Sequence, residues 1–134
     1  MNDAIVETLI VERTRDPETG RLLEEAWKDD AGKHHRDDGP ALIEYDASTG
    51  RITRQVYFER GLLHRLDGPA VEAWDPNTGM KVEERYCRRG ATNRGHTYQL
   101  AHWKRSAKTG LVTLEERRYG GALPSEDATT HLAR

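Results

Sequence analysis

The side chains best suited to chemistry lie at residues 34–38, which read His-His-Arg-Asp-Asp. Imidazole and carboxylate groups spaced this closely can hold a transition metal or exchange protons in catalysis. A second copy of the segment keeps only one histidine, His64, and one aspartate, Asp67. A pair that returns with each copy of a segment is better explained by repeated structure, for example a histidine that caps a turn. We therefore favour a structural role, with a metal site or a catalytic site as the alternatives.

Other residues with catalytic potential lack the neighbours that catalysis requires. Three glutamate pairs occur at 24–25, 83–84 and 115–116. Adjacent residues of a strand point to opposite faces, so the two carboxylates of a pair cannot converge on one substrate. Cys87 has arginine neighbours, which favour a thiolate, but no adjacent residue can act as its base. We expect no catalytic residues, no enzyme activity, no bound metal and no cofactor.

Residues 85–108 form a basic segment that is rich in aromatic and imidazole side chains. Cations bind phosphates and aromatic rings stack on unpaired bases, so the segment is suited to nucleic acid. Arginine beside tyrosine or tryptophan is also typical of a protein-binding hot spot. The third interpretation is that the rings pack the fold while the cations face water. The predicted partner-binding residues are Arg85, Tyr86, Arg88, Arg89, Arg94, His96, Tyr98, His102, Trp103, Lys104 and Arg105.

The elements that position these residues are copies of one unit of about 30 residues. The segment 35–41, His-Arg-Asp-Asp-Gly-Pro-Ala, returns at 64–70 as His-Arg-Leu-Asp-Gly-Pro-Ala. An Asp-x-x-Thr-Gly segment begins at Asp16, Asp46 and Asp75, and a weaker copy begins at Ser106. We interpret the repeated residues as structural: His35, Arg36, Asp38, Gly39, Pro40, His64, Arg65, Asp67, Gly68 and Pro69.

The two repeated segments predict a hairpin and a link. Asp-x-x-Thr-Gly is typical of a tight turn, in which the aspartate accepts backbone N–H groups and the glycine takes a positive φ. The flanking residues 42–45 and 51–58 are rich in β-branched and aromatic side chains, which predicts a strand on each side of the turn. Gly-Pro-Ala predicts the link to the next hairpin. No segment shows a sustained helical period with capping signals.

We therefore predict an all-β fold of tandem antiparallel hairpins that form an elongated, twisted sheet. One domain covers residues 1–124, with four units at about 9–41, 42–70, 71–100 and 101–124, and a flexible tail follows at 125–134. We expect much of the apolar layer of the sheet to come from Trp27, Tyr45, Tyr57, Trp74, Tyr86 and Trp103.

Composition favours a thin, extended fold over one with a thick core. Hydrophobic residues make up 35% of the chain and charged residues 33%, and the mean hydropathy is −0.90. Residues 1–80 carry 10 Lys/Arg against 17 Asp/Glu, whereas residues 81–120 carry 10 against 4. The chain has one cysteine, a poor secretory signal and no apolar run that could span a bilayer. We expect a cytoplasmic protein that does not bind membranes.

The stretch 57–70, Tyr-Phe-Glu-Arg-Gly-Leu-Leu-His-Arg-Leu-Asp-Gly-Pro-Ala, resembles the variant MORN repeats of bacterial and phage proteins. Those repeats combine an aromatic pair, a glycine, a histidine and a Gly-Pro pair, and residues 27–41 are a looser copy. Some proteins with such repeats look like antitoxins or immunity proteins. The resemblance implies a non-enzymatic, MORN-like module that binds a toxin or target enzyme, or a phage-encoded inhibitor. The alternative is nucleic-acid binding through 85–108, and open sheet edges would also permit homo-oligomers.

Overall fold

The computed structural model describes residues 4–92 and 102–116, and the described chain contains strands and turns but no helix. The strands are β1 (Ile10–Arg15), β2 (Leu22–Lys28), β3 (Leu42–Tyr45), β4 (Ile52–Val56), β5 (Phe58–Glu59), β6 (Leu62–Leu63), β7 (Val71–Trp74), β8 (Lys81–Arg85), β9 (Cys87–Arg88), β10 (Ala91–Thr92), β11 (His102–Arg105) and β12 (Val112–Glu116). The predicted all-β class is confirmed. The predicted tail at 125–134 lies outside the described residues.

Eight of the strands form one open antiparallel sheet in the order β1-β2-β3-β4-β7-β8-β11-β12. Every neighbouring pair is antiparallel and follows chain order once the short strands are left out. The sheet is therefore a row of four hairpins, as the repeat predicts. Because each hairpin runs out and back, its turn lies at one end of the sheet and its link to the next hairpin lies at the other.

The four turns have the local chemistry that the sequence predicts. In the second turn the Gly50 N–H donates to the Asp46 carbonyl at 2.8 Å, and the Asp46 carboxylate accepts the N–H groups of Ser48 and Thr49. The glycine that ends each turn has φ between 73° and 77°. The register also shifts once in every hairpin, and the extra residue in the second is Thr53. Equivalent shifts occur in the other three, which gives all four hairpins the same local bend.

The predicted strand 51–58 is wrong at its far end, because the chain leaves the main sheet after Val56. Phe58–Glu59 instead pairs with Leu62–Leu63 in a small separate hairpin. Its loop residues Arg60 and Gly61 have φ values of 48° and 83°, the positive pair that a two-residue type I′ turn requires. The next link contains a matching hairpin, β9 with β10. Each of these two links is therefore a folded element.

The small hairpins form a second ladder along the link end of the sheet. The Gly61 N–H donates to the His34 carbonyl, and the Gly90 N–H donates to the Leu63 carbonyl, each at 2.8 Å. The Arg65 N–H also donates to the Cys87 carbonyl at 3.2 Å. Successive units are thus joined by hydrogen bonds both through the main sheet and through their links.

The buried core is thin and consists mainly of small side chains. Ala41 and Ala70, which follow the two prolines of the links, are both 0% exposed. Each alanine directly precedes a strand and adds one hydrogen bond to its pairing with the neighbouring strand. The Ala41 N–H donates to the Val56 carbonyl, and the Ala70 N–H donates to the Arg85 carbonyl. The buried apolar residues are Ala26, Ala41, Ile43, Val56, Ala70, Val71, Ala73 and Cys87. This agrees with the low hydrophobic content of the chain.

One face of the main sheet carries a row of aromatic side chains. Residues opposite each other in a ladder share a face, so Ile43, Gln55 and Trp103 lie on the same side of the sheet. The strand alternation places six rings on this side, which we call the aromatic face: Trp27, Tyr45, Tyr57, Trp74, Tyr86 and Trp103. All six side chains are half-buried. The expected aromatic layer therefore exists, but it is not fully covered by described residues.

Candidate functional site

The repeated arginine of the link stacks on an aromatic ring of its own unit. The guanidinium carbon of Arg65 lies 4.0 Å from the centre of the Tyr57 ring. The same group donates to the Asp67 carboxylate at 3.2 Å and to the Pro69 carbonyl at 3.1 Å. Arg36 repeats this arrangement over Trp27, with 3.9 Å between guanidinium carbon and ring centre. The arginine and aspartate of the motif therefore fasten each link to the aromatic face.

The glycine of the motif leaves room for that arginine. A Cβ atom at Gly68 would lie 2.9 Å from the guanidinium carbon of Arg65, and one at Gly39 would lie 3.0 Å from that of Arg36. Both distances are shorter than ordinary carbon contacts. Neither glycine has a positive φ, so the close approach of the guanidinium is what favours glycine here.

The histidine of the motif caps the turn of the next small hairpin. Nδ1 of His35 accepts the Arg60 N–H at 3.0 Å, and Nδ1 of His64 accepts the Arg89 N–H at 3.1 Å. Both arginines have a positive φ and precede the glycine of their turns. His35 is 4% exposed, so its ring is part of the core between two units. The sequence predicts a structural histidine, and these contacts identify the partner that it caps.

The carboxylates of Glu7 and Asp37 lie near the ring of His35, close enough for the three side chains to surround a cation. The hydrogen bonds of the ring oppose such a site. Because Nδ1 accepts the Arg60 N–H, the proton of a neutral ring must be on Nε2, which lies 3.1 Å from the Asp37 carboxylate. A metal ion on Nε2 would move that proton to Nδ1, against the Arg60 N–H. The geometry therefore favours a hydrogen-bonded histidine.

Asp29 is a buried carboxylate that sequence patterns do not single out. It is 2% exposed and accepts the N–H groups of Ala31 and Lys33, and Arg60 lies 3.2 Å away. The Lys33 N–H, followed by Arg60, holds the pKa of Asp29 below its ordinary value of 3.8. Its role is structural, since it closes the loop of the first link. The only sequence signal is an Asp-Asp pair before a glycine, which marks a loop but not its burial.

Three carboxylates of the aromatic face, those of Glu25, Glu72 and Glu84, are paired with cations on the same face. Glu72 lies 3.1 Å from Arg65 and 2.8 Å from Lys81. Glu84 also accepts from Lys81 and, at 2.9 Å, from the indole N–H of Trp103. At the other end of the row the Glu25 carboxylate binds the Arg13 guanidinium at 3.0 Å. The face thus presents aromatic rings among ion pairs.

The predicted partner-binding residues are divided between the two faces of the sheet. Tyr86 and Trp103 lie on the aromatic face, whereas His102 and Lys104 lie on the opposite one. Nε2 of His102 is 2.8 Å from the Glu83 carboxylate, so its ring already has a partner. The remaining described members are Arg85 at the end of β8, Arg88 in β9, Arg89 in the turn after β9, and Arg105, which lies 5.1 Å from the Trp103 ring. Arg94, His96 and Tyr98 lie outside the described residues.

The glutamate pair at 83–84 behaves as its spacing predicts. Glu83 is buried on the face opposite the aromatic rings, where its carboxylate lies 3.2 Å from Arg54. Glu84 points to the aromatic face, towards Lys81 and Trp103. The two carboxylates therefore do not converge on a common site.

Comparisons of the chain with protein-family models, curated proteins and solved structures found no match. Within residues 4–92 and 102–116, no helix has the length and apolar character needed to cross a bilayer. A function is therefore inferred below from the geometry and chemistry of the sheet.

Proposed function

We propose that this chain is a non-enzymatic protein-binding module of the immunity or antitoxin type, or a phage-encoded inhibitor, and that it holds its partner on the aromatic face. The observation that carries the proposal is the row of six half-buried aromatic side chains on one side of an open eight-stranded sheet. Tryptophan, tyrosine and arginine are the residues that contribute most to protein interfaces. The resemblance of the links to variant MORN repeats supports the same class of function.

The aromatic face has suitable dimensions for a protein partner. Eight strands spaced by about 4.8 Å span roughly 34 Å, and six of them have four or five residues, a length of about 15 Å. The projected area is therefore about 500 Å², and its accessible surface is larger because the rings project from it. One side of a standard protein interface buries about 800 Å². A single globular partner could thus cover most of the row.

The charges of the aromatic face favour protein over nucleic acid. Affinity for a phosphate backbone comes from cations that are free to replace counterions. Here Arg65 and Lys81 already contact Glu72, and Arg13 contacts Glu25. Ion pairs among half-buried rings are instead typical of protein interfaces, in which charge fixes orientation. Nucleic-acid binding through 85–108 is less well supported, because the described residues of that segment do not share one surface.

The proposal is tested with a face-selective pair of variants. The aromatic-face variant is Tyr45→Thr/Trp103→Thr, and the control is Lys104→Thr/Leu114→Thr, which alters two exposed residues that face each other on the opposite side. Threonine suits a strand, so both variants should keep the sheet, as circular dichroism can verify. The partner is first captured from the native host and then purified, and its affinity for each variant is measured by calorimetry.

Loss of two hot-spot rings should weaken binding by at least about 30-fold, or about 2 kcal/mol, while the control stays within about threefold. Equal effects of the two variants would contradict the proposal. So would the absence of a stoichiometric protein partner together with salt-dependent binding of single-stranded nucleic acid. The latter result would establish the alternative function instead.

A further inference from the structure

A groove of about 540 Å³ lies between the two copies of the repeated link. It is lined by residues 36–39, 57–59 and 64–67. A volume of this size is in the range of sites that hold a small ligand or a few side chains. Of the six aromatic-face residues, Tyr57 alone belongs to the lining of this groove.

The groove carries an excess of negative charge. Two of its carboxylates form ion pairs with the link arginines of their own units: Asp38 with Arg36 at 3.1 Å and Asp67 with Arg65 at 3.2 Å. The other two belong to Asp37 and Glu59, each of which lies near an imidazole. Asp37 lies 3.1 Å from His35, and Glu59 lies 3.8 Å from His64. With two guanidinium groups against four carboxylates, the lining has a net charge of −2 when its histidine is neutral.

The rest of the lining is apolar. Tyr57, Phe58 and Leu66 contribute to it, and 66% of the surface of Leu66 is exposed. Arginine and lysine pack their aliphatic stems on apolar surface while their charged ends reach polar groups. A basic side chain in this groove could therefore lie along Leu66 and Phe58 and place its cation beside Asp37 or Glu59. An acidic or phosphorylated group would meet the net negative charge.

We propose that this groove binds an arginine or lysine side chain from an extended basic segment of the partner. The proposal rests on the proposed protein-binding function and adds the chemistry of the partner to it. Charge complementarity supports this occupant at two scales. The groove has the excess of carboxylates just described, and it lies within residues 1–80, where Asp/Glu outnumber Lys/Arg by 17 to 10.

The experiment titrates ¹⁵N-labelled full-length protein with the peptide acetyl-Ser-Arg-Leu-Arg-Ser-amide and, separately, with its neutral citrulline analogue. Backbone amide shifts locate the binding site, and their saturation gives Kd. The groove variant Asp37→Asn/Glu59→Gln removes the two groove carboxylates that no guanidinium of residues 4–92 and 102–116 contacts, but keeps their shape. The control, Glu18→Gln/Glu24→Gln, removes the same charge from outside the groove lining.

The arginine peptide should shift amides of 36–39, 57–59 and 64–67, and citrulline should raise Kd about fivefold or more. The groove variant should raise Kd for the arginine peptide by a similar factor, because two exposed ion pairs together are worth about fivefold in Kd. The control variant should change Kd less than twofold. Shifts located elsewhere, equal binding of the citrulline peptide, or equal effects of the two variants would each overturn the proposal.

The groove and the proposed function can fail separately. A purified partner that binds the aromatic face and is unaffected by Asp37→Asn/Glu59→Gln would overturn the groove proposal and leave the function standing. The opposite outcome is also distinguishable. If the arginine peptide binds specifically in the groove but no partner loses affinity for the aromatic-face variant, the groove proposal stands and the proposed function is overturned.

Discussion

Replacing Gly68 by alanine tests the contact between glycine and arginine in the link. The new Cβ would lie 2.9 Å from the guanidinium carbon of Arg65, so the guanidinium must move away from the Tyr57 ring. Displacement weakens a cation–π contact worth about 0.5–1 kcal/mol and a charged hydrogen bond to Pro69 worth about 1.5–3 kcal/mol, and loss of about half of each costs about 1–2 kcal/mol. Alanine also restricts the unfolded chain, which stabilises the folded protein by about 0.4–1 kcal/mol. The net expectation is a loss of about 1 kcal/mol.

In an Arg65→Ala background the effect of Gly68→Ala on the free energy of unfolding should change sign. No guanidinium then stands over the glycine, so only the effect on the unfolded chain remains and Gly68→Ala should stabilise by about 0.4–1 kcal/mol. A double-mutant cycle measured by urea unfolding gives the coupling directly, and we expect about 1–2 kcal/mol.

Gly50→Ala is the matched control for this cycle. Gly50 has a φ of 76° and nothing near its missing Cβ, so alanine there costs backbone strain of about 1 kcal/mol in either background. If Gly68→Ala is equally destabilising with and without Arg65, the explanation of this glycine by arginine packing is refuted.

Substitutions at three further residues test other contacts. His35→Ala leaves the Arg60 N–H without its buried acceptor and should cost about 2–4 kcal/mol in urea unfolding, with partial recovery in His35→Asn, whose amide oxygen can accept instead. Hydrogen bonds from Thr49 hold the pKa of Asp46 below its ordinary 3.8. The stabilisation by the ionised carboxylate is therefore complete above that pH and is lost as the pH falls through the lowered value. Melting curves between pH 5 and 2 should show a smaller acid-induced loss of stability for Asp46→Asn than for the native chain. Arg51→Met should lower stability by only about 0.5–1 kcal/mol in thermal melts, because it removes exposed hydrogen bonds to the Pro76 and Asn77 carbonyls, which a methionine cannot make.

Local chemistry made the hairpins predictable from the sequence. The Asp46 carboxylate accepts hydrogen bonds from N–H groups only two and three residues later in the chain. The five residues of Asp-x-x-Thr-Gly therefore include all the groups that form these turn hydrogen bonds. The repeat of that turn then gives the row of antiparallel strands. The small hairpins were harder to predict, because a type I′ turn normally has asparagine or aspartate before glycine. Arg60 and Arg89 occupy that position here, and each N–H is held by a histidine 25 residues earlier in the chain.

The candidate site was only partly predictable for a related reason. Basic and aromatic residues that are adjacent in sequence, such as Trp103 and Lys104, are separated by the alternation of the strand. Residues far apart in sequence, such as Glu84 and Trp103, are brought together by the register of the sheet. The aromatic face follows from pairing eight strands in register, and no short motif encodes that pairing. The groove likewise exists only because two links stack side by side.

The proposed binding face can be tested most directly by following the tryptophan indoles in a complex with the purified partner. All three tryptophans of the chain, Trp27, Trp74 and Trp103, lie on the aromatic face, so their indole N–H signals report on that face alone. The methyl groups of Leu114 report on the opposite face. We predict that the partner shifts or attenuates the indole signals and leaves Leu114 unchanged. Unchanged indoles with a perturbed Leu114 would contradict the proposed binding face.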